Sequence, residues 1–400
     1  MKNVILITID TLRRDVFGCY GRKPSLTPFM DSLQNRCLRF DRAYATGPYT
    51  QASFPGIMTS SYYLEYGRQK NLPAQKTLIS EVLKEGGITT AAFHSNPYLS
   101  EYFGWNRGWD TFYDSMEDDV TDLYPFMRGS VINRKVDTWL SASGRVGGDR
   151  PFFLWVHYMD VHEPYVPEEK FVGQIDANLR LEKEEMLGLF KEVILKRDTS
   201  EFETVALLKK LYSAKVLEVD SYVRELFQVF EQAGVLGNSV ILFGSDHGDE
   251  FGEHGGLSHD GKMYSELVSV PFFIYDKDRS GGEVYRGPVS NIDIAPTIAH
   301  LFSLHRVKSF KGTSLFPLGA SGVRPCFGEA INKRGHKEKM DDKPIYYCLK
   351  DPWKIIFDEG AGTYELYDVK GDPGEKTDCY GTAGVAEDMK REIHSWLEQR

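Results

Sequence analysis

Long apolar runs are missing from this 400-residue chain, and so is any excess of positive charge. No stretch approaches the roughly 18 apolar residues that a membrane-crossing helix needs, so no membrane span is expected. Met1 is followed almost at once by the apolar run Val4 to Ile9, with no charged segment, apolar stretch and cleavage site ahead of it. That start predicts a cytoplasmic protein. Lys and Arg total 48 against 58 Asp and Glu, a formal charge of -10, which argues against bulk binding to nucleic acid or anionic membranes and leaves room only for a local basic pocket. Cysteine is scarce too: Cys19, Cys37, Cys326, Cys348 and Cys379 are odd in number and scattered, without metal-type spacing. They read as free thiols in a reducing compartment, neither a disulfide framework nor a nucleophile. Internal repeats and low-complexity tracts are also absent, so the chain is read as an ordinary globular protein of enzyme size, with one large or two unequal domains.

What is present is an alternation. Strand-like runs at Val4–Ile9, Ile88–Phe93, Phe152–Tyr158, Val240–Phe243 and Phe272–Tyr275 are separated by stretches long enough for crossover helices. This predicts an α/β fold with a largely parallel central sheet. Val216, Val219, Val223, Phe227 and Phe230 recur at spacings of three and four, one face of a sheet-packing helix that Gly234 ends. Residues 167 to 210 mix Glu and Lys with Leu and Phe, as exposed, inserted helices do. From about residue 326 the pattern shifts to short strands, Pro344–Tyr347, Trp353–Phe357 and Tyr364–Val369, then a closing helix. Residues 326–400 are therefore expected to form a small antiparallel C-terminal subdomain on a catalytic domain of residues 1–325.

The chemistry gathers where strands end. Phe243-Gly244-Ser245-Asp246-His247-Gly248-Asp249-Glu250 sets a carboxylate beside an imidazole at the end of a buried strand, with His254 and His259 close behind. In open α/β sheets, ligands bind where such strand ends converge. Asp10 and Thr11 end the first strand in the same way, although an acid there also suits the cap of the next helix. The third strand ends in Asp160, Val161, His162 and Glu163. His157, inside that strand, is expected as a buried, satisfied histidine. His162, beyond its end, is expected to face a substrate, and Asp160 is open between the two readings. Residues 47 to 63 carry hydroxyls at Thr50, Ser53, Thr59 and Ser60 ahead of apolar residues. They mark a helix N-terminus, which is also where an attacking hydroxyl is helped by the helix dipole. His259 and Lys262, in HDGKMYSE, supply donors of the kind a phosphate or sulfate oxyanion requires.

Taken in order, IDTLRRDVFGCYG, LTPFMDSL, CLRFDRAYA, the hydroxyl-bearing segment, FHSNPYLS, FFLWVHYMDVHEPY, SDHGDEFGEHG, SHDGKMYSE, IDIAPTIAHLF and ELYDVKGDPGE resemble the sulfatase family of the alkaline phosphatase superfamily over nearly the whole chain. The resemblance implies an alkaline phosphatase-like three-layer α/β/α fold. It also implies metal ligation by Asp10, Asp246 and His247 with Thr50 completing the sphere, and oxyanion contacts from His162, His259 and Lys262. Arg13 matches a family arginine without an assigned role.

Two departures matter. The family's double Asp is here Asp10-Thr11, which removes one carboxylate and makes a second metal less expected. Mg, Mn or Ca suits the remaining oxygen-rich site, with Zn possible. The formylglycine motif is missing as well: counting back from Thr59-Ser60, which stands for the family's Thr-Gly, the nucleophile position falls on Thr50. An alternative register would begin at Ser53. Threonine is not converted to formylglycine, and superfamily relatives with Thr here include nucleotide phosphodiesterases and phosphoglycerol-transferring enzymes. The expectation is a metal-dependent hydrolase of small-molecule or glycan- or lipid-linked sulfate or phosphate esters, phosphate favoured, acting through a covalent Thr50 intermediate. The alternatives are a phosphoglycerol-type group transferase, a phosphomutase, or a non-catalytic binding protein that kept the fold.

Overall fold

The structure is a computed structural model that describes residues 1–121, 125–142, 150–194, 202–259, 261–319, 322–332 and 339–400. Its strands are β1 (Asn3–Ile9), β2 (Cys37–Tyr44), β3 (Thr89–Phe93), β4 (Thr111–Tyr113), β5 (Phe152–Tyr158), β6 (Ser239–Ser245), β7 (Glu250–Phe251), β8 (Leu257–Ser258), β9 (Ser269–Asp276), β10 (Glu283–Ser290), β11 (Cys326–Ile331), β12 (Pro344–Lys350), β13 (Trp353–Asp358) and β14 (Thr363–Asp368). The helices are α1 (Pro28–Ser32), α2 (Thr50–Thr59), α3 (Ile79–Glu85), α4 (Gly129–Ala142), α5 (Glu169–Ile175), α6 (Lys183–Leu189), α7 (Phe202–Gln232), α8 (Ser265–Val268), α9 (Ile294–Leu301) and α10 (Ala386–Glu398).

Eight strands form the central sheet in the order β10-β2-β9-β6-β1-β5-β3-β4. All seven residues of β1 are buried, because successive side chains point to opposite faces and both faces are covered. Val4 and Leu6 pack with Phe54 and Ile57 of α2, Leu83 of α3 and Ile298 of α9. Ile5, Ile7 and Ile9 face the other way, into a core with Val136 of α4 and Val216, Val219 and Val223 of α7. The three-layer α/β/α arrangement follows. The predicted sheet-packing helix is real and longer than its periodicity suggested, since α7 already begins at Phe202. The Glu- and Lys-rich region before it contains α5 and α6, which bury Phe171, Val172 and Met186 in the core and rest Ile175 and Leu189 against it. Residues 195–201 of that stretch lie outside the described residues.

β9 runs antiparallel to both of its neighbours, β6 and β2, while the other pairings are parallel. The inversion has a consequence for the site. The chain leaves β6 and re-enters the sheet at β9 on the same edge, so residues 246–259 and 261–268 stay at the C-terminal ends of the parallel strands. Three strands of the central sheet, β2, the short β4 and β10, escaped the sequence reading. β2 carries Arg39, Asp41 and Arg42 in its middle, and β10 contains Gly287 and Pro288. β10 is an edge strand, where Pro is tolerated because one side of its backbone has no ladder to complete.

β11 to β14 form a four-stranded antiparallel sheet. One face packs on α10 through Ile355, Leu366, Met389 and Ile393. The other shares the main core through Tyr347, Leu349 and Ile356. Tyr347 donates to the carbonyl of Ala45 at 2.7 Å, and the Ile331 N–H donates to the Tyr49 hydroxyl at 3.0 Å. Lys354 Nζ lies 2.8 Å from Glu375 Oε1 with both side chains fully buried, and Glu375 also accepts the Ser265 N–H at 2.6 Å. Lys354→Met strands a buried carboxylate, so it is expected to cost about 3–5 kcal/mol in chemical denaturation, while Lys354→Met with Glu375→Gln recovers most of that loss. A single variant as stable as the parent contradicts this account.

Candidate active site

Because β1, β2, β3, β5 and β6 share one direction, their C-terminal ends open on one edge of the sheet, where Asp10, Asn96, Asp246 and His247 follow β1, β3 and β6. β1 delivers Asp10, whose N–H still donates to the Tyr158 carbonyl at 2.9 Å. Thr11 follows with φ +56°, a left-handed conformation that costs a β-branched residue about 1–3 kcal/mol unless its surroundings hold it. They do: the Thr11 N–H donates to Asp246 Oδ1 at 3.3 Å, and Tyr212 donates to the Thr11 carbonyl at 2.9 Å. β6 delivers Asp246 and His247. Gly248 then passes so close to α8 that a Cβ there would stand 2.0 Å from the Glu266 carbonyl oxygen, which is why this position is glycine.

Asp10, Asp246 and His247 are fully buried. His247 Nε2 lies 3.5 Å from Asp10 Oδ1 and 3.4 Å from Asp246 Oδ2, and none of these three atoms has a hydrogen-bond partner among the described residues. His247 Nδ1 is turned to the Gly248 carbonyl at 2.9 Å, so its proton sits there and Nε2 presents a lone pair. Burial, then the charge of His259, push the His247 imidazole down to about 3. Burial and the neighbouring Asp10 charge push Asp246 well above the usual carboxylate range. Asp10 itself is held below that range: burial opposes ionisation, but His157 and the nearby imidazoles outweigh it. Two buried carboxylates and one imidazole lone pair, all orphaned and mutually within 4.8 Å, fit a divalent cation.

Thr50 opens α2, with Tyr49 in extended conformation before it, and its Oγ1 donates to Asp10 Oδ2 at 3.3 Å. Asn96, just past β3, places Nδ2 2.9 Å from Asp10 Oδ2 and 3.4 Å from Thr50 Oγ1. Behind them, His157 Nε2 is 3.3 Å from Asp10 Oδ2. It is buried as expected, but it touches the site. On the other side of His247 the ring of His259 stands 4.7 Å away, with His162 a further 4.9 Å on. His259 Nδ1 meets Asp249 Oδ1 at 2.9 Å and Glu163 Oε2 at 3.5 Å. Burial disfavours its charge, but Glu163 and Asp249 outweigh burial and raise the imidazole to about 10, so it is cationic at neutral pH.

Residues 2–304 match the sulfatase family model, and residues 252–400 match the N-sulphoglucosamine sulphohydrolase C-terminal model. The chain belongs to the sulfatase family. An N-acetylglucosamine-6-O-sulfatase of Bacteroides thetaiotaomicron is 24% identical, over 99% of this chain and 86% of that protein. Among solved structures, a protein in complex with its substrate D-glucosamine-2-N,6-O-disulfate superposes with a TM-score of 0.81 at 20% identity, over 100% of this chain and 97% of that one. The phosphonate monoester hydrolase of Agrobacterium radiobacter gives 0.76 at 18%, over 100% and 95%. These likenesses confirm the alkaline phosphatase-like fold and make this sulfatase-family chain an ester hydrolase by kinship.

Within this sulfatase-family fold, the two candidate registers for the nucleophile part company. Ser53 is fully buried; its hydroxyl donates to the Asp246 carbonyl at 2.6 Å and accepts from Asn291 Nδ2 at 2.8 Å. It pins α2 to the loop after β6, one turn below Thr50, and has no reach toward a substrate. Ser60 ends α2 in the left-handed conformation at φ +47°, the place that favours the glycine for which it stands.

Lys262 is the expected site residue that no contact brings to the cluster. Glu250 is buried and needs a counter-ion; Lys262 Nζ supplies it at 2.8 Å and also donates to the His254 carbonyl at 2.9 Å. Asp160 is likewise set apart, 3.9 Å from Lys215 and raised by burial to about 6. Arg13 now has a place: it grips Asp15 at 2.8 and 2.9 Å, the Asp249 carbonyl at 2.8 Å and Glu253 at 2.9 Å, tying the loop after β1 to the loop after β6. Asn96, Asp249 and Glu163 were not singled out from the sequence. Asp249 had a signal, lying two residues past His247, but Asn96 had none beyond its place after a strand. Of the aromatics near Asn96, Trp105 and Trp109 are core, whereas Tyr98 and Tyr102 are exposed.

Proposed function

We propose that this sulfatase-family chain cleaves phosphate or sulfate esters through a covalent intermediate on Thr50, with phosphate esters favoured. The observation that carries the reading is the Thr50 hydroxyl bonded to Asp10 Oδ2, beside three orphaned ligand atoms, while Ser53 is committed elsewhere. A divalent cation held by Asp10, Asp246 and His247, with Mg, Mn or Ca suited to the oxygen-rich set and Zn possible, would supply charge that weakens the Thr50 O–H bond and offsets the oxyanion.

The chain's own residues do the rest. Thr50 Oγ1 attacks phosphorus or sulfur as its proton passes to Asp10 Oδ2, and the bond to the leaving alkoxide breaks. The cationic His259, with His162 beside it, faces negative charge on the transferred group, and Asp249 and Glu163 keep that charge in place. The alkoxide takes a proton from solvent; water then attacks the same centre and gives up a proton to solvent, and the proton held on Asp10 Oδ2 returns to Thr50 Oγ1 as it is freed. A formylglycine hydrate can expel sulfate through its second hydroxyl, whereas Thr cannot. This favours the phosphoryl group, whose threonine ester is opened by direct attack, and kinship of fold with phosphonate monoester hydrolases supports the same choice. The substrate class follows as a small-molecule or glycan- or lipid-linked ester.

The test is acid quenching during turnover of aryl phosphate mono- and diesters and aryl sulfates, followed by peptide mass analysis. One phosphoryl or sulfuryl group is expected on the Thr50 peptide. An adduct on Ser53, or turnover with no adduct under single-turnover conditions, overturns the reading.

A further inference from the structure

Asp10 is hydrogen-bonded on one side only. Oδ2 accepts from Asn96 Nδ2 at 2.9 Å and Thr50 Oγ1 at 3.3 Å, and His157 Nε2 stands 3.3 Å away as an electrostatic contact without hydrogen-bond alignment, while Oδ1 has no partner among the described residues. The orientation of each donor is set from behind. The Asn96 side-chain oxygen accepts the Tyr98 N–H at 3.0 Å, which turns the NH2 end toward Asp10 and Thr50. The Asn96 backbone N–H donates to His94 Nδ1 at 3.3 Å, and burial keeps His94 neutral, so it can accept.

A second line of residues reaches Asp10 through the sheet. Trp155 Nε1–H can only donate, and it donates to Thr8 Oγ1 at 3.0 Å. Thr8 Oγ1 lies 2.9 Å from His157 Nδ1, and the Asp10 carboxylate facing Nε2 favours the ring proton on Nε2, so Nδ1 accepts the Thr8 hydroxyl proton. Thr8, His157 and Asp10 are fully buried, with Trp155 and Asn96 at 1% exposure, so water does not compete for any of these bonds.

We propose that Asn96 and the Trp155–Thr8–His157 relay are positioning devices that load one oxygen of Asp10 with donors, reserve the other for a divalent cation, and leave the Thr50 proton a single acceptor. A carboxylate that receives several hydrogen bonds on one oxygen cannot rotate without losing them. Asn96 also donates toward Thr50 Oγ1, so it supports negative charge on that oxygen and offers no rival acceptor. The Thr50 part rests on the function proposed above; the relay part concerns Asp10 alone.

The test separates the two. Mn2+ affinity is measured by calorimetry on chelator-treated protein, and kcat and KM are measured independently. Thr8→Val keeps the shape and breaks the relay, and is expected to weaken Mn2+ binding by about 10-fold, with Thr8→Ser restoring it. Trp155→Phe cuts the relay at its head and is expected to act in the same direction. Asn96→Asp removes a donor to Asp10 and gives Thr50 a second acceptor, so it is expected to weaken Mn2+ binding as Thr8→Val does and, at saturating Mn2+, to lower kcat by about 100-fold, a loss that Thr8→Val does not share. The proposal falls if Thr8→Val and Trp155→Phe both bind Mn2+ as the parent does, or if Asn96→Asp keeps the parent kcat. An adduct on a residue other than Thr50 sinks the proposed reaction and leaves the Mn2+ result to judge the relay by itself.

Discussion

Thr50→Ala is expected to lower kcat/KM by about 10,000-fold or more, the scale on which enzymes lose activity when a nucleophile that acts in concert with its neighbours is removed. The size of the loss follows from the surroundings. The nearest serine in sequence cannot stand in, because Ser53 is bonded to the Asp246 carbonyl and to Asn291. Fold and cation binding are expected to survive, since alanine is well accommodated in the first turn of a helix and the three orphaned ligand atoms belong to other residues. Thr50→Ser keeps a hydroxyl at the same place and is expected to retain activity within about 10-fold. Steady-state kinetics on the best aryl ester decides the matter: parental activity in Thr50→Ala would remove Thr50 from the chemistry.

The second large effect concerns charge. Asp246 is pushed above the usual carboxylate range by burial and by Asp10, so the folded, cation-free protein holds a proton there that the unfolded chain has already released. Stability of the cation-free protein is therefore expected to fall as pH rises above the ordinary carboxylate range. A divalent cation reverses the penalty, stabilising by about 2.7 kcal/mol at a concentration 100 times its Kd. Asp246→Asn removes the repulsion together with the ligand charge. It is expected to unfold at a higher temperature than the parent without cation, to lose the part of the pH dependence above the carboxylate range that Asp246 contributes, and to bind the cation on the order of 100-fold more weakly. Thermal unfolding across pH, with and without Mn2+, checks all three. A variant less stable than the cation-free parent at neutral pH would show that the carboxylate is not under strain.

Much of the site could be read before any coordinates. Asp10, Asp246 and His247 stand where an apolar run stops, and in a parallel sheet such stops share one edge. The periodicity of α7 and the alternating C-terminal strands are likewise local patterns, legible within a dozen residues. Thr50 came from its register relative to Thr59-Ser60, and the geometry now separates it from Ser53. Local pattern failed where the deciding partner is remote. β2 hides behind Arg39, Asp41 and Arg42 because its membership in the sheet depends on β9 and β10, more than 200 residues away. The pairing of Lys262 with the buried Glu250 is likewise a contact that local pattern does not reveal.

The sequence by itself thus determined the layers of the fold, the edge on which the chemistry lies and the residues at the strand ends, because hydrophobic period and strand termini are properties of short segments. Only the tertiary structure decided how those residues share their hydrogen bonds. Asn96 meets Asp10 across 86 residues of chain and Ser53 meets Asp246 across 193. The inverted β9 keeps the loop bearing His259 at the same edge. Such pairings arise from the packing of whole elements, and a side chain's donors and acceptors become a site only when packing has chosen their partners.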